Sequence, residues 1–256
     1  TGIAALYHMV AGEPRYLPMV IADRTVGLIA VQLILMALLH RERTGEGQSI
    51  ELPMFENMVK SVLEEHMYLK TFDPPLGPMG DPRLTDPQAK PLPTKDGWVC
   101  VSANTDDQAF AVFDAIGKPE LKTDPRFNTV AARFKNTSEY FSIRAEGLKQ
   151  KTTAEWMAIF DRTDVPAMPF QTLDEVMQDP HLKEIGFFEK IKHPTEGMIW
   201  NMKLPNKLSR GVRKDFRHAP KIGEQSIEVL GEAGLSDAEI NALLASGATL
   251  DGRPAK

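Results

Sequence analysis

The run from Gly27 to Leu39 constrains this chain more than any other segment. It is apolar on every side and broken only by Gln32. A helix without a polar stripe belongs inside a protein, so the sequence predicts a helix buried on all sides. The run is also shorter than the ~20 residues a bilayer crossing takes. Ile21-Ala22-Asp23-Arg24-Thr25-Val26-Gly27 leads into it, and Asp23 is the expected N-cap. First-turn N–H groups lack intrahelical partners, and the helix dipole places partial positive charge there. A carboxylate at that point can be held ionised and aimed, which makes Asp23 the candidate for chemistry. Arg41 and Arg43 close the helix, where cations complement the dipole, and Gly45 and Gly47 supply left-handed backbone.

Composition narrows the function classes. A chain of 256 residues with 42% hydrophobic and 25% charged side chains has the make-up of a folded protein, not a disordered one. A net charge of -5 argues against nucleic acid as the main partner, since phosphate binding calls for surplus Lys and Arg. The single cysteine, Cys100, excludes an internal disulfide, fits a reducing cytoplasmic setting and reads as core filler. There is no CxxC or HExxH, and the six histidines lack ligand spacing, so no metal site is expected. Glu64-Glu65-His66 reads as a solvated helix face, and Trp98, Trp156 and Trp200 as core. The chain opens on Thr1-Gly2 with no visible signal peptide.

Local signals place the other elements. Gln48 to Leu52 alternates like a short strand, and Pro53 is expected to open a second helix at N1, with Met54, Phe55, Met58, Val59, Val62 and Leu63 as its apolar stripe. Residues 73 to 93, rich in proline, read as a long loop. Pro91–Thr94 and Trp98–Ser102 flank Lys95-Asp96-Gly97, an Asp-Gly hairpin signal. A helix is expected from about Asp106 to Ile116, closed by Gly117. Capping boxes at Thr152/Glu155, Thr172/Glu175 and Ser236/Glu239 announce three more. Phe187–Lys192 and Met198–Met202 read as a second hairpin. Lys207, Arg210, Arg213, Lys214 and Arg217 form a basic, irregular stretch read as a solvated connection.

Several of these pieces, in this order, resemble the class III CoA-transferases, the CaiB/BaiF family of formyl-CoA transferase and the carnitine and bile-acid CoA-transferases. They are Asp23-x-x-x-Gly27, the run Ala37 to Gln48 with its His40-Arg41-Glu42-Arg43-Thr44-Gly45-Glu46-Gly47 end, and Ile50-Glu51-Leu52-Pro53-Met54-Phe55-Glu56. Pro93-Thr94-Lys95-Asp96-Gly97-Trp98-Val99 follows, then Asp124-Pro125-Arg126-Phe127 with Arg133. Asp164-Val165-Pro166-Ala167-Met168-Pro169, Asp179-Pro180 and Ala219-Pro220-Lys221-Ile222-Gly223-Glu224 complete the set.

The resemblance implies an α/β fold of two-domain class III architecture. Residues 1–75 would belong to a large Rossmann-like domain, 76–204 would form a small α+β domain, and 205–256 would return to the large one. It implies that the chain is the C-terminal portion of such an enzyme, lacking the Rossmann-like half with most of the CoA-binding surface. By the same resemblance Asp23 is the nucleophile. It would attack an acyl-CoA thioester and pass through an aspartyl-CoA thioester that an acceptor carboxylate opens. Coenzyme A enters as substrate, and no metal or permanently bound cofactor is implied. The implied partners are acyl-CoA, a small carboxylic acid and a second copy in an interlocked cytoplasmic homodimer, with neither membrane nor nucleic acid. The glycine-rich loop of formyl-CoA transferase has only Leu76-Gly77-Pro78-Met79-Gly80 as a poor counterpart, which leaves the acceptor open. An α-methylacyl-CoA racemase, in which the matching aspartate works with a histidine, is the enzymatic alternative. A non-catalytic interaction module is the third reading.

Overall fold

The computed structural model describes residues 1–210 and 218–253. Contacts divide the chain into two compact units, Thr1–Phe170 and Gln171–Lys256.

The first unit begins with three helices, α1 (Ile3–Ala11), α2 (Ile21–Thr44) and α3 (Met54–His66). The short α4 (Pro82–Thr85) lies within the proline-rich stretch. Strands β1 (Leu92–Pro93), β2 (Trp98–Val101) and β3 (Ala167–Pro169) form an antiparallel sheet in the order β1-β2-β3. Leu92 pairs with Val99, and Cys100 with Met168. Between β2 and β3 run α5 (Asp106–Ala115), α6 (Val130–Lys135), α7 (Thr137–Leu148) and α8 (Thr153–Arg162).

The core of this unit lies in residues 92–165. Phe113, Phe127, Leu148, Trp156 and Phe160 are fully buried together with Val99 of the sheet. Tyr140 meets Phe113 edge-on at 5.9 Å, an arrangement aromatic quadrupoles favour. The Trp156 indole N–H donates to the Leu148 carbonyl at 2.6 Å, so the largest buried side chain leaves no polar atom unpaired. Asp96 of the hairpin turn accepts from the Thr153 N–H at 2.8 Å, tying that turn to the start of α8. This contact, with the hydroxyls of Thr153 and Thr94 that also donate to it, holds the Asp96 carboxyl below the usual carboxylate range.

The second unit holds α9 (Leu173–Val176), α10 (Pro180–Glu184), the antiparallel hairpin β4 (Phe188–His193) and β5 (Gly197–Met202), α11 (Ser226–Glu232) and α12 (Asp237–Ala245). All three expected capping boxes are present, at Thr152, Thr172 and Ser236.

Other expectations need correction. Val26 alone is buried on α2, which is therefore not enclosed. The helix also continues beyond Gly27–Leu39 at both ends. Its 24 residues, with mean hydropathy 1.8 over the most apolar window, are long and apolar enough to cross a membrane by length and composition. Gln48–Leu52 forms no strand, since among the described residues no strand pairs with it. Pro53 is the N-cap of α3, one position before the expected N1. Trp98 and Cys100 are exposed because β2 alternates and turns Val99 inward. Trp200 is also exposed and lies under the Lys190 ammonium at 5.0 Å. His66 is buried, not solvated. Arg213, Lys214 and Arg217 lie outside the described residues.

Candidate functional site

Asp23 sits in the first turn of α2, and the helix begins earlier than the sequence suggests. The Ile21 N–H donates to Met19 O at 2.9 Å and closes a tight turn. Val20 then takes the N-cap position, without a side-chain cap, so Asp23 is the third helical residue and not the cap. The first backbone bond into the helix runs from Arg24 N–H to Val20 O at 3.2 Å. Ala22 and Asp23 precede it, so their N–H groups have no i−4 carbonyl within the helix. The dipole at this end favours a negative charge, and Asp23 is the one acidic side chain in that turn.

The Asp23 side chain is exposed. Among the described residues it has no ion-pair partner, and no capping bond engages it. A Cβ built on Gly27, one turn further on, would meet nothing within 4 Å. The carboxylate is therefore unengaged and approachable, as a nucleophile must be. Arg41 and Arg43 lie a full helix length away, in the last turn, where Gly45 N–H closes the helix on Arg41 O at 2.8 Å. They are not brought to Asp23, and both stand in the last turn of α2, where cations complement the dipole.

A second feature of the first unit escaped the sequence reading. A cavity of about 440 Å³ lies between the α3–α4 region, β2 and α6–α7, and Asp23 is not among its lining residues. Arg133 and Arg144 both line it and both are buried. Arg133 donates to Phe127 O at 2.9 Å and to the Asp106 carboxylate at 2.7 Å, pinning the Asp124–Phe127 turn to the start of α5. Arg144 donates to Val101 O at 2.9 Å and stands 5.1 Å over the Tyr140 ring. Arg133 was legible only as part of the Asp124–Phe127 family motif, and Arg144 only as a cation inside a helix, which periodicity alone reads as a solvated position.

At the edge of this region the buried Asp81 accepts from the Arg83 backbone N–H at 2.9 Å and pairs with its guanidinium. The Arg83 side chain is the main reason the Asp81 carboxyl lies below its ordinary range. His66 Nδ1 receives the Asp81 N–H at 3.3 Å, and Gly80 N–H donates to His66 O at 2.9 Å. A Cβ on Gly77 would come within 2.6 Å of Leu69 Cδ1. Leu76 to Gly80 is thus tied to the end of α3 through His66 and packed on the Leu69 side chain just beyond it, at Gly77.

The profile of CoA-transferase family III matches residues 1–226. Formyl-CoA:oxalate CoA-transferase of Escherichia coli is 31% identical over 260 residues, covering 91% of this chain. The chain spans 61% of the length of that relative. The crystal structure of a CAIB/BAIF family protein from Brucella suis is 28% identical, with a TM-score of 0.64, and covers 90% of this chain and 60% of its own. The fold is also shared with a Mycobacterium tuberculosis protein at TM-score 0.62 and 23% identity, over 81% of this chain and 56% of that one.

Proposed function

From the premise that this chain belongs to CoA-transferase family III, we propose that Asp23 is the nucleophile of a CoA transfer between two carboxylic acids. The observation that carries the reading is the unengaged carboxylate in the first turn of α2, at the start of the ordered family motifs.

The chemistry closes without a redox step. An Asp23 carboxylate oxygen attacks the thioester carbonyl of the donor, and the C–S bond breaks to give a mixed anhydride and CoA thiolate. The thiolate attacks the Asp23 acyl carbon and expels the donor carboxylate, which leaves an aspartyl-CoA thioester. The acceptor carboxylate attacks that carbon and releases thiolate again, and the thiolate attacks the acceptor acyl group. Acceptor-CoA departs and the Asp23 carboxylate is restored. Splitting the exchange this way replaces one difficult displacement with several easier ones. Unpaired N–H groups at the mouth of α2 would stabilise the oxyanions that form on the way.

The partners in this reading are an acyl-CoA, a small carboxylic acid and a second copy of the protein, in the cytoplasm. The exposed apolar face of α2 supports the second copy, because Leu28 and Leu35 are 68% and 60% exposed and so large an apolar face calls for a cover.

The test is exchange between acyl-CoA and a carboxylate in the intact protein. Asp23→Ala and Asp23→Asn are each expected to lower kcat by at least ~1,000-fold, as loss of a nucleophile does, with circular dichroism unchanged. Retained turnover in either variant would refute the role. Deuterium wash-in beside the acyl carbonyl without CoA exchange would assign the aspartate to proton transfer instead.

A further inference from the structure

We propose that the cavity of the first unit is a binding site for a small oxyanion ligand, held by Arg144 and Tyr140. The argument starts from two groups whose bonding is incomplete. Arg144 is 4% exposed and Tyr140 is 5% exposed, and both line the cavity. The Arg144 Nε and the Tyr140 hydroxyl are buried and have no hydrogen-bond partner. Buried polar atoms are nearly always paired, because leaving one unpaired forfeits its bonds to water. Two such atoms on neighbouring turns of α7, lining the same cavity, mark a place where an acceptor belongs.

The charge pattern says what kind of acceptor. Arg133 is balanced by Asp106 at 2.7 Å, and Arg83 by Asp81. Arg144 has no carboxylate within ion-pair distance among the described residues. Its contacts are the Val101 carbonyl and the faces of Tyr140 and Phe141, at 5.1 and 5.6 Å. A buried guanidinium held only by a neutral carbonyl and ring faces lacks its counter-charge. Lys90 adds a further cation to the lining, and among the described residues that line it Glu65 is the only acid. Glu65 is exposed, its ion-pair contact is with His66 at 3.9 Å, and among the described residues it forms no ion pair with Arg144.

Shape selects the rest of the ligand. At about 440 Å³ the cavity falls in the range of small-molecule sites. Leu84, Leu92, Phe134 and Phe141 give it an apolar wall, while Ser102 and Asn104 supply polar groups. A carboxylate on an apolar or aromatic body satisfies both parts, since a planar carboxylate matches a guanidinium edge. The phosphate of a larger ligand offers the same oxyanion chemistry.

Calorimetric titration of the full chain at constant ionic strength tests the proposal, with sodium benzoate, inorganic phosphate and uncharged benzyl alcohol as probes. Benzoate is expected to bind saturably and benzyl alcohol to bind at least tenfold more weakly. Tyr140→Phe removes a hydroxyl with no internal bond to lose, so the fold is expected to persist while benzoate affinity drops about tenfold. Arg144→Lys, which keeps the charge and loses the planar fork, is expected to weaken binding at least as much. Phosphate that competes with benzoate and binds more tightly supports the same oxyanion site with a phosphate-bearing ligand. Equal binding of benzoate and benzyl alcohol, no saturable binding of either anion, or an unchanged affinity in Tyr140→Phe overturns the proposal.

Discussion

At the scale of single residues, Asp81 gives the clearest dependence on pH. Its carboxyl lies below the ordinary range because Arg83 hydrogen-bonds it, and the group is buried. A carboxylate with a depressed folded value stabilises the fold fully above its unfolded value, about 4, and loses that contribution as pH falls through the folded value. Asp81→Asn is therefore expected to cost about 2 kcal/mol near neutrality, the scale of hydrogen bonds to a charged group. The gap between variant and parent should narrow steadily below pH 4 in urea unfolding. A gap independent of pH would show that charge is not the cause. Residues also mark the limits of sequence reading. Asp23 was legible as the candidate because ordered motifs surround it, yet its place in the helix was misjudged by three positions. A polar side chain before an apolar run resembles a cap, and only the Met19–Ile21 turn fixes the true start. Cys100 and Trp98 were misplaced because a four-residue strand does not say which of its faces the helices will cover.

At the scale of elements, signals confined to one turn were the readable ones. The capping boxes at Thr152, Thr172 and Ser236 and the Asp-Gly hairpin need only neighbours within about four residues. Gln48–Leu52 alternates correctly, but a strand is defined by a partner the local pattern cannot supply. Helix α1 was missed although Gly2 and Gly12, at φ 94° and 80°, bracket it. Two substitutions probe this level. Thr152→Ala removes the box at the start of α8 and is expected to cost ~1 kcal/mol. Gly147→Ala, inside α7, should gain up to ~1 kcal/mol from helix propensity alone. Its new Cβ, however, would stand 2.7 Å from Ile116 Cβ in the core. Overpacking of that kind is expected to make the net effect destabilising by ~1–3 kcal/mol. A neutral or stabilising Gly147→Ala in denaturant unfolding would show that α7 and the end of α5 yield easily.

At the scale of the molecule, α2 separates what patterning can tell from what it cannot. An all-round apolar helix was read as enclosed, and in this chain it has one buried residue. Hydropathy records that a face must be covered, whereas the identity of the cover lies outside the sequence window. In the proposed assembly a second copy contributes to that cover, so Leu28→Glu combined with Leu35→Glu is expected to convert a dimer of the intact protein to monomer in sedimentation. An unchanged assembly would remove α2 from the interface. The central claim remains the acyl-accepting carboxylate at residue 23, and trapping is its most direct measurement. The intact protein is incubated with an acyl-CoA donor, quenched with hydroxylamine, digested and mapped by mass spectrometry. The account predicts a hydroxamate on Asp23 that appears only with donor present. Steady CoA exchange with residue 23 unmodified, or a hydroxamate on another carboxylate, would contradict it.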